Sequence, residues 1–204
     1  MGQVVLAQRG DGSLNRQAAM GMFKLRHEVF RHRLGWDVNS EDGMEQDEYD
    51  QAAAVYVLVK ADDDDVVGCW RLLPTTGPYM LKDTFPELLH GELAPQKRDV
   101  WELSRFAIAS EKIGGTGFGL SDIPIKMIQM AVRFAQKNGI KRYVSVTSVA
   151  VDRMFRKAGI HMTRLGEPIK IGKVLTVAVT LEIDEITEFA LFGTLPEHAE
   201  RIAA

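Results

Sequence analysis

Helical and extended apolar patterns alternate along this chain, so whatever it folds into must contain both helices and strands. Ser13 or Asn15 can cap a helix reaching about Arg33, with Met22, Leu25 and Val29 on one stripe, Phe23, Phe30 and Leu34 extending it, and Gly35 as its end. Two β-rich runs, Ala54 to Lys60 and Val66 to Leu73, flank Ala61 and four consecutive aspartates and read as a hairpin with a charged turn. Trp101 to Ala109 alternates as another strand, and a helix follows from about Asp122 to Asn138, with Ser121 as its cap and Gly139 as its stop. Tyr143 to Ser148 is the next strand, Val151 to Ala158 a short basic helix, Val174 to Ile183 a long strand, and Glu185 to Phe192 a last helix capped by Asp184. Between these elements, Asn39 to Gln51 reads as an acidic loop or short helix, and Pro74 to Lys97 as mixed loop and short helix.

A length of 204 residues suits one domain with a substantial core. Hydrophobic residues make up 46% and charged residues 26%, which excludes wholesale disorder or a fibrous repeat. No apolar run approaches the roughly 18 to 20 residues that cross a bilayer, and no basic stretch followed by an apolar one opens the chain, so a cytoplasmic protein without a membrane partner is expected. The single cysteine, Cys69, excludes an internal disulfide and a multi-cysteine zinc site. Charge is segregated: Glu41 to Asp65 holds ten acidic residues and one basic, whereas Lys112 to Lys173 holds twelve basic and three acidic. The basic part could meet a nucleic acid, a phosphorylated cofactor or an acidic protein.

Most familiar chemistries find no support. The glycine run Gly114, Gly115, Gly117 and Gly119 precedes a helix, but its spacing matches neither dinucleotide nor P-loop patterns. Five histidines, His27, His32, His90, His161 and His198, show no ligand spacing, so no metal is expected. Cys69 sits inside a strand beside Trp70 as a buried thiol, and no GxSxG elbow exists. What remains are carboxylates and arginines in apolar context, Arg26, Asp47, Asp50, Arg71, Glu102 and Arg105, which must pair with one another or with a ligand. Strict alternation of Trp101 to Ala109 would put Glu102, Ser104, Phe106 and Ile108 on one face and Trp101, Leu103, Arg105 and Ala107 on the other.

Four blocks in order, LRHEVFRHRLGWDV (Leu25 to Val38), MEQDEYD (Met44 to Asp50), GCWRLLPTTGPYMLKDTFPELL (Gly68 to Leu89) and WELSRFAI (Trp101 to Ile108), resemble the acyl-homoserine-lactone synthases of bacterial quorum sensing. The similarity extends over about residues 22–184. It implies a single α/β domain with a central mixed sheet flanked by helices, related to the N-acetyltransferase (GNAT) superfamily. It also implies a reaction that joins S-adenosylmethionine to an acyl group carried on acyl carrier protein and releases N-acyl-homoserine lactone and methylthioadenosine. The matching positions imply that Arg26, Phe30, Trp36, Asp47 and Asp50 form the S-adenosylmethionine site and that Glu102, Arg71 and Arg105 serve catalysis.

The physical chemistry is compatible with those roles. A protonated α-amine needs a base before it attacks a thioester, and Glu102 is the candidate. The cationic sulfonium and anionic carboxylate of S-adenosylmethionine need both signs of charge, with Asp47 and Asp50 suited to the cationic part and Arg26 or Arg71 to the carboxylate. The resemblance implies acyl-pocket hydroxyls at Ser104, Ser145 and Thr147, with serine at 145 where family members carry threonine. A hydroxyl facing the third carbon of the acyl group can bond an oxygen there and would be left unpaired by a plain alkyl chain, which favours a medium-length acyl chain bearing a 3-oxo or 3-hydroxy group. Lys141, Arg142, Arg153, Arg156 and Lys157 are expected to dock an acidic carrier near the thioester entrance, on a strand edge and a short helix. Nucleic acid is not expected, since no reading motif or aromatic interleaving accompanies the basic residues. S-adenosylmethionine is a substrate, so no cofactor is expected. The alternatives are an acyl-coenzyme A-dependent N-acyltransferase and a non-catalytic ligand sensor.

Overall fold

The structure is a computed structural model that describes residues 3–109 and 122–193. In chain order the first half contains β1 (Gln3–Gln8), α1 (Arg16–Arg26), a π-helix (His27–Arg33), β2 (Ser40–Glu41), β3 (Met44–Glu45), β4 (Val55–Lys60) and β5 (Val66–Pro74). A short helix α2 (Met80–Asp83), a 3-10 turn (Pro86–Leu89) and β6 (Val100–Ile108) follow. The second half contains α3 (Asp122–Asn138), β7 (Arg142–Ser148), α4 (Val149–Lys157), β8 (Met162–Arg164), β9 (Ile169–Ile171), β10 (Val174–Glu182) and α5 (Glu185–Phe192). The glycine run, Ser121 and His198 lie outside the described residues.

The main sheet runs β1-β4-β5-β6-β7-β10-β8, with β9 also on β10, and it is mixed: β6 and β7 pair parallel, and the other ladders are antiparallel. Helix α3 is the crossover between the two parallel strands. One face of the sheet buries Tyr56, Leu58, Cys69 and Leu73 against Met22, Phe23 and Leu25 of α1. The other buries Val57, Trp70, Leu103 and Val179 against Met127, Ile128 and Ala131 of α3 and Phe155 of α4. A side chain of that size contributes roughly 1.5–3 kcal/mol when fully buried.

Caps fall where the sequence implies them: Asn15 accepts from the Ala18 N–H, and Asp184 accepts from Thr187. Beyond Arg26 the first helix widens to π geometry, and Gly35 turns the chain away at φ +64°, where a side chain would be strained. The acidic segment expected as a loop or helix contains the small β2–β3 hairpin, which delivers Glu45 into the interior at 0% exposure.

Strict alternation of β6 fails at Arg105. The register passes from Arg71↔Ser104 to Cys69↔Ala107, so Arg105 and Phe106 together oppose Trp70, and Arg105 adopts φ +60°. This β-bulge inserts one extra residue and reverses the facing of everything after it. Arg105 therefore joins Glu102 and Ser104 on the α1 face, while Phe106 turns to the other and packs on Trp70 and Phe155, at centroid distances of 4.9 and 5.9 Å.

The parallel ladder is also short. It ends at Leu103↔Ser145, after which β6 stays with β5 and β7 stays with β10. The sheet splits there.

Candidate active site

The split opens a cavity of ≈ 260 Å³ that passes from one side of the sheet to the other. Ser104, Arg105 and Phe106 line it from β6, and Val146, Thr147 and Ser148 from β7. Phe30 and Trp36 close the α1 side, stacked at 5.3 Å, with Phe85 tilted against Trp36 at 5.9 Å. Val151 and Met154 of α4 close the other side. Thr147 and Val151 also line a smaller apolar cavity beneath, of ≈ 10 Å³, together with Trp70, Ser145 and Phe155. Each cavity is lined by an indole whose buried N–H, Trp36 Nε1 in the first and Trp70 Nε1 in the second, has no hydrogen-bond partner among the described residues. An unmet buried donor costs about 1–3 kcal/mol, so the Trp36 position, in the larger cavity, favours a ligand with an acceptor.

Beside the cavity the structure brings three arginines and three carboxylates into one buried lattice. Arg26 donates through Nε to Glu45 at 2.5 Å and through both Nη atoms to Asp50 at 2.7 and 2.9 Å. Arg71 donates to Asp50 at 2.8 Å and to Asp47, and its Nε bonds Ser104 Oγ at 3.1 Å. Arg105 donates to Glu45 at 2.9 Å and lies 2.8 Å from Asp47. Equal numbers of opposite charges and shared hydrogen bonds are what allow such groups to be dehydrated. Burial raises the Asp50 and Glu45 carboxyls, but Arg26 with Arg71, and Arg26 with Arg105, outweigh it and hold both below the ordinary carboxylate range.

Glu45 is the member that sequence reading missed. It looked like one more residue of a solvated acidic loop, and only the β2–β3 hairpin turns it inward. Arg26 and Arg71, expected to meet a substrate carboxylate, are 0% and 1% exposed and are saturated by carboxylates of the protein itself. Of the three arginines only Arg105 lines the through-sheet cavity, and among the described residues its Nη1 meets only the thioether sulfur of Met80, at 3.1 Å. Asp50 is enclosed by Arg26, Arg71 and the Tyr56 hydroxyl, whereas Asp47 lines a separate polar cavity of ≈ 330 Å³.

Glu102 pairs with no arginine. It is 0% exposed, and its two oxygens accept the backbone N–H groups of Met80, at 3.0 Å, and Leu81, at 2.7 Å. Burial raises its pKa, and the two N–H bonds and the fields of Arg71 and Arg105 offset that only partly. Glu102 thereby anchors the start of α2, which presents Met80 to the cavity. Burial also pushes the Cys69 thiol up to about 12, leaving it an inert core residue.

A family model described as autoinducer synthase matches residues 12–191. The chain belongs to the autoinducer synthase family. The acyl-homoserine-lactone synthase of Pseudomonas aeruginosa is 47% identical over 174 residues, covering 84% of this chain and 86% of the relative. The crystal structure of the AHL synthase LasI superposes with a TM-score of 0.89 at 42% identity, covering 96% of this chain and 97% of that one. A CoA-dependent synthase, BjaI, solved with SAM and isopentyl-CoA, superposes with a TM-score of 0.82 at 26% identity, covering 95% and 89%. The fold is thus the GNAT-like mixed sheet that the resemblance implied.

In this family member, the residues expected in the acyl pocket have unequal surroundings. Ser145 Oγ donates to Leu103 O at 2.7 Å and Ser104 Oγ accepts from Arg71, whereas the Thr147 hydroxyl has no partner among the described residues. The basic residues expected at the entrance are dispersed. Strand β7 lies between β6 and β10 rather than at an edge, and its first residue Arg142 pairs with Glu182 at 2.6 Å. The six-residue advance from Arg142 to Ser148 covers roughly 20 Å, so Lys141 and Arg142 stand at the end of β7 remote from the cavity. Arg153, Arg156 and Lys157 are exposed on α4, the helix whose Val151 and Met154 face the cavity.

Proposed function

We propose that the through-sheet cavity joins an acyl group from acyl carrier protein to the α-amine of S-adenosylmethionine, and that the acylated product closes to N-acyl-homoserine lactone with release of methylthioadenosine. The chain is an acyltransferase of the acyl-homoserine-lactone synthase class. The observation that carries this reading is the ≈ 260 Å³ cavity at the split between β6 and β7, walled by aromatics and an arginine on one side and by Val151 and Met154 on the other.

The sulfonium packs beside the aromatic wall of Trp36 and Phe85, where ring quadrupoles favour a cation, while Phe30 stacks on Trp36 and carries Arg105 over its ring at 5.1 Å. Arg105 takes the substrate carboxylate through Nη1, the one nitrogen of its guanidinium that has no oxygen acceptor among the described residues. Asp47 lies 2.8 Å from the Arg105 guanidinium and is suited to the ammonium beside it, while Arg26 and Arg71 hold it in place. Glu102 accepts the ammonium proton through a bridging water, because each of its oxygens keeps a lone pair beyond the backbone bond it accepts. The amine nitrogen then attacks the thioester carbonyl, the C–S bond breaks, and the carrier leaves as a thiol. In the second step the substrate's carboxylate oxygen attacks its own γ-carbon and displaces methylthioadenosine. Neither step changes an oxidation state, so no redox cofactor is proposed.

Methylthioadenosine release that depends on both S-adenosylmethionine and an acyl donor is the deciding measurement. A coenzyme A-dependent acetyltransferase or a ligand sensor would release none.

The exposed cationic face of α4 supports the carrier as donor, since acyl carrier proteins are acidic. Changing Arg153 and Arg156 to Glu is expected to raise KM for the acyl-carrier substrate by about tenfold or more and to leave a short acyl-pantetheine substrate unaffected. Equal damage to both substrates would remove α4 from carrier docking.

Thr147 and Trp70 support an acyl chain oxygenated near its head, since the Thr147 hydroxyl lines the through-sheet cavity and the buried Trp70 N–H beneath it has no acceptor among the described residues. At one chain length, kcat/KM should be higher for a 3-oxo or 3-hydroxy substrate than for the plain acyl group. Thr147→Val and Trp70→Phe should each narrow the difference, and a plain chain used equally well would refute the preference.

A further inference from the structure

His27 and His32 stand five residues apart, a spacing that an α-helix would splay around its axis. The π-helix sets residues i and i+5 one above the other, as the Leu34 N–H bond to Val29 O at 2.9 Å shows. The two imidazoles consequently meet edge to face, with centroids 4.7 Å apart and planes at 85°, and their Nε2 atoms are 3.0 Å from each other.

The surroundings settle one tautomer. Ser40 Oγ donates to Met44 O at 3.1 Å, and a carbonyl can only accept, so the Ser40 oxygen is left to accept from His27 Nδ1–H. Neutral His27 therefore directs the lone pair of Nε2 toward His32. His32 is exposed, and moving its proton from Nε2 to Nδ1 leaves a second lone pair facing the first across 3.0 Å, so that a small rotation of the exposed ring brings both onto one cation. Nitrogen ligands at about 2.0–2.1 Å from a metal lie about 2.9 Å apart at a right angle and about 3.3 Å apart in a tetrahedron. The observed 3.0 Å falls between these values. The Nδ1–H bond to Ser40 is the kind of outer contact that orients a metal-binding imidazole.

We infer that His27 and His32 form a two-imidazole chelate on the outer face of the π-helix for a borderline first-row cation, Zn²⁺, Ni²⁺ or Cu²⁺, with water filling the remaining positions. No group of three or more His, Cys, Asp or Glu that could hold a metal occurs among the described residues, so the affinity is that of a two-ligand site. The site is separate from the chemistry, but Phe30 and Arg33 on the same π-helix line the cavity. An occupied chelate would hold that turn in its π register.

Calorimetric titration of the full chain with each metal chloride at pH 7.5 tests this. One equivalent should bind, and His27→Ala and His32→Ala should each weaken it by about tenfold or more, which is about 1.4 kcal/mol. His32 is exposed, so its variant is expected to fold as the wild type does. Saturating Zn²⁺ should also raise the thermal midpoint of the wild type but not that of the double variant. Equal affinity in the wild type and the double variant, or no one-to-one site in the wild type, would overturn the inference.

Discussion

Replacing Arg26 with methionine is expected to destabilise the protein by about 3–5 kcal/mol, because it leaves Glu45 and Asp50 buried without the guanidinium that bridges them. In a chain of this size that corresponds to a fall in Tm of roughly 10 °C. The same lattice sets the acid limit of the fold. Asp50 and Glu45 titrate below their ordinary values, so their contribution is complete above about pH 4 and disappears as pH falls through the lowered folded pKa values. Glu102 has the opposite sign: its raised pKa favours the protonated form, and its cost enters as pH rises from its unfolded value toward its folded one. Thermal unfolding between pH 3 and 8 should show wild-type stability dropping at the acid end and a shallower drop in Arg26→Met. A shift in Tm under about 2 °C at neutral pH would mean that the lattice contributes little.

Glu102→Gln is expected to cut turnover by about 100-fold or more. The structure supplies two routes to that loss, and the pH profile separates them. If Glu102 takes the amine proton, kcat/KM of the wild type rises with pH through its raised pKa, and the variant loses that limb. If Glu102 only anchors α2, the glutamine amide faces the N–H of Met80 or Leu81 as a second donor. Stability then falls and KM rises while the pH dependence persists. Unchanged turnover in a folded variant would remove Glu102 from both roles.

How far the sequence carries depends on the range of the interaction involved. The first helix, the hairpin across four aspartates, the α3 crossover and the last helix are legible because their periodicity, caps and stops lie within a few residues of one another. Strand β1 was not legible: Val4, Val5 and Leu6 are a short apolar run whose pairing with β4 lies about fifty residues away. Apolar context likewise identified Arg26, Asp47, Asp50, Arg71, Glu102 and Arg105 as charges requiring partners, but not which partners.

The sequence by itself determined the alternation of helices and strands, the family, and a set of charges too many for an apolar interior to hold unpaired. Only the tertiary structure decided that the bulge at Arg105 puts it on the face of Glu102, that a two-residue hairpin brings in Glu45, that Glu102 holds backbone rather than an arginine, and that β6 and β7 part after Leu103. Each of these depends on register between segments far apart in the chain. A shift of one residue reverses which face a side chain occupies, and no local pattern records that shift.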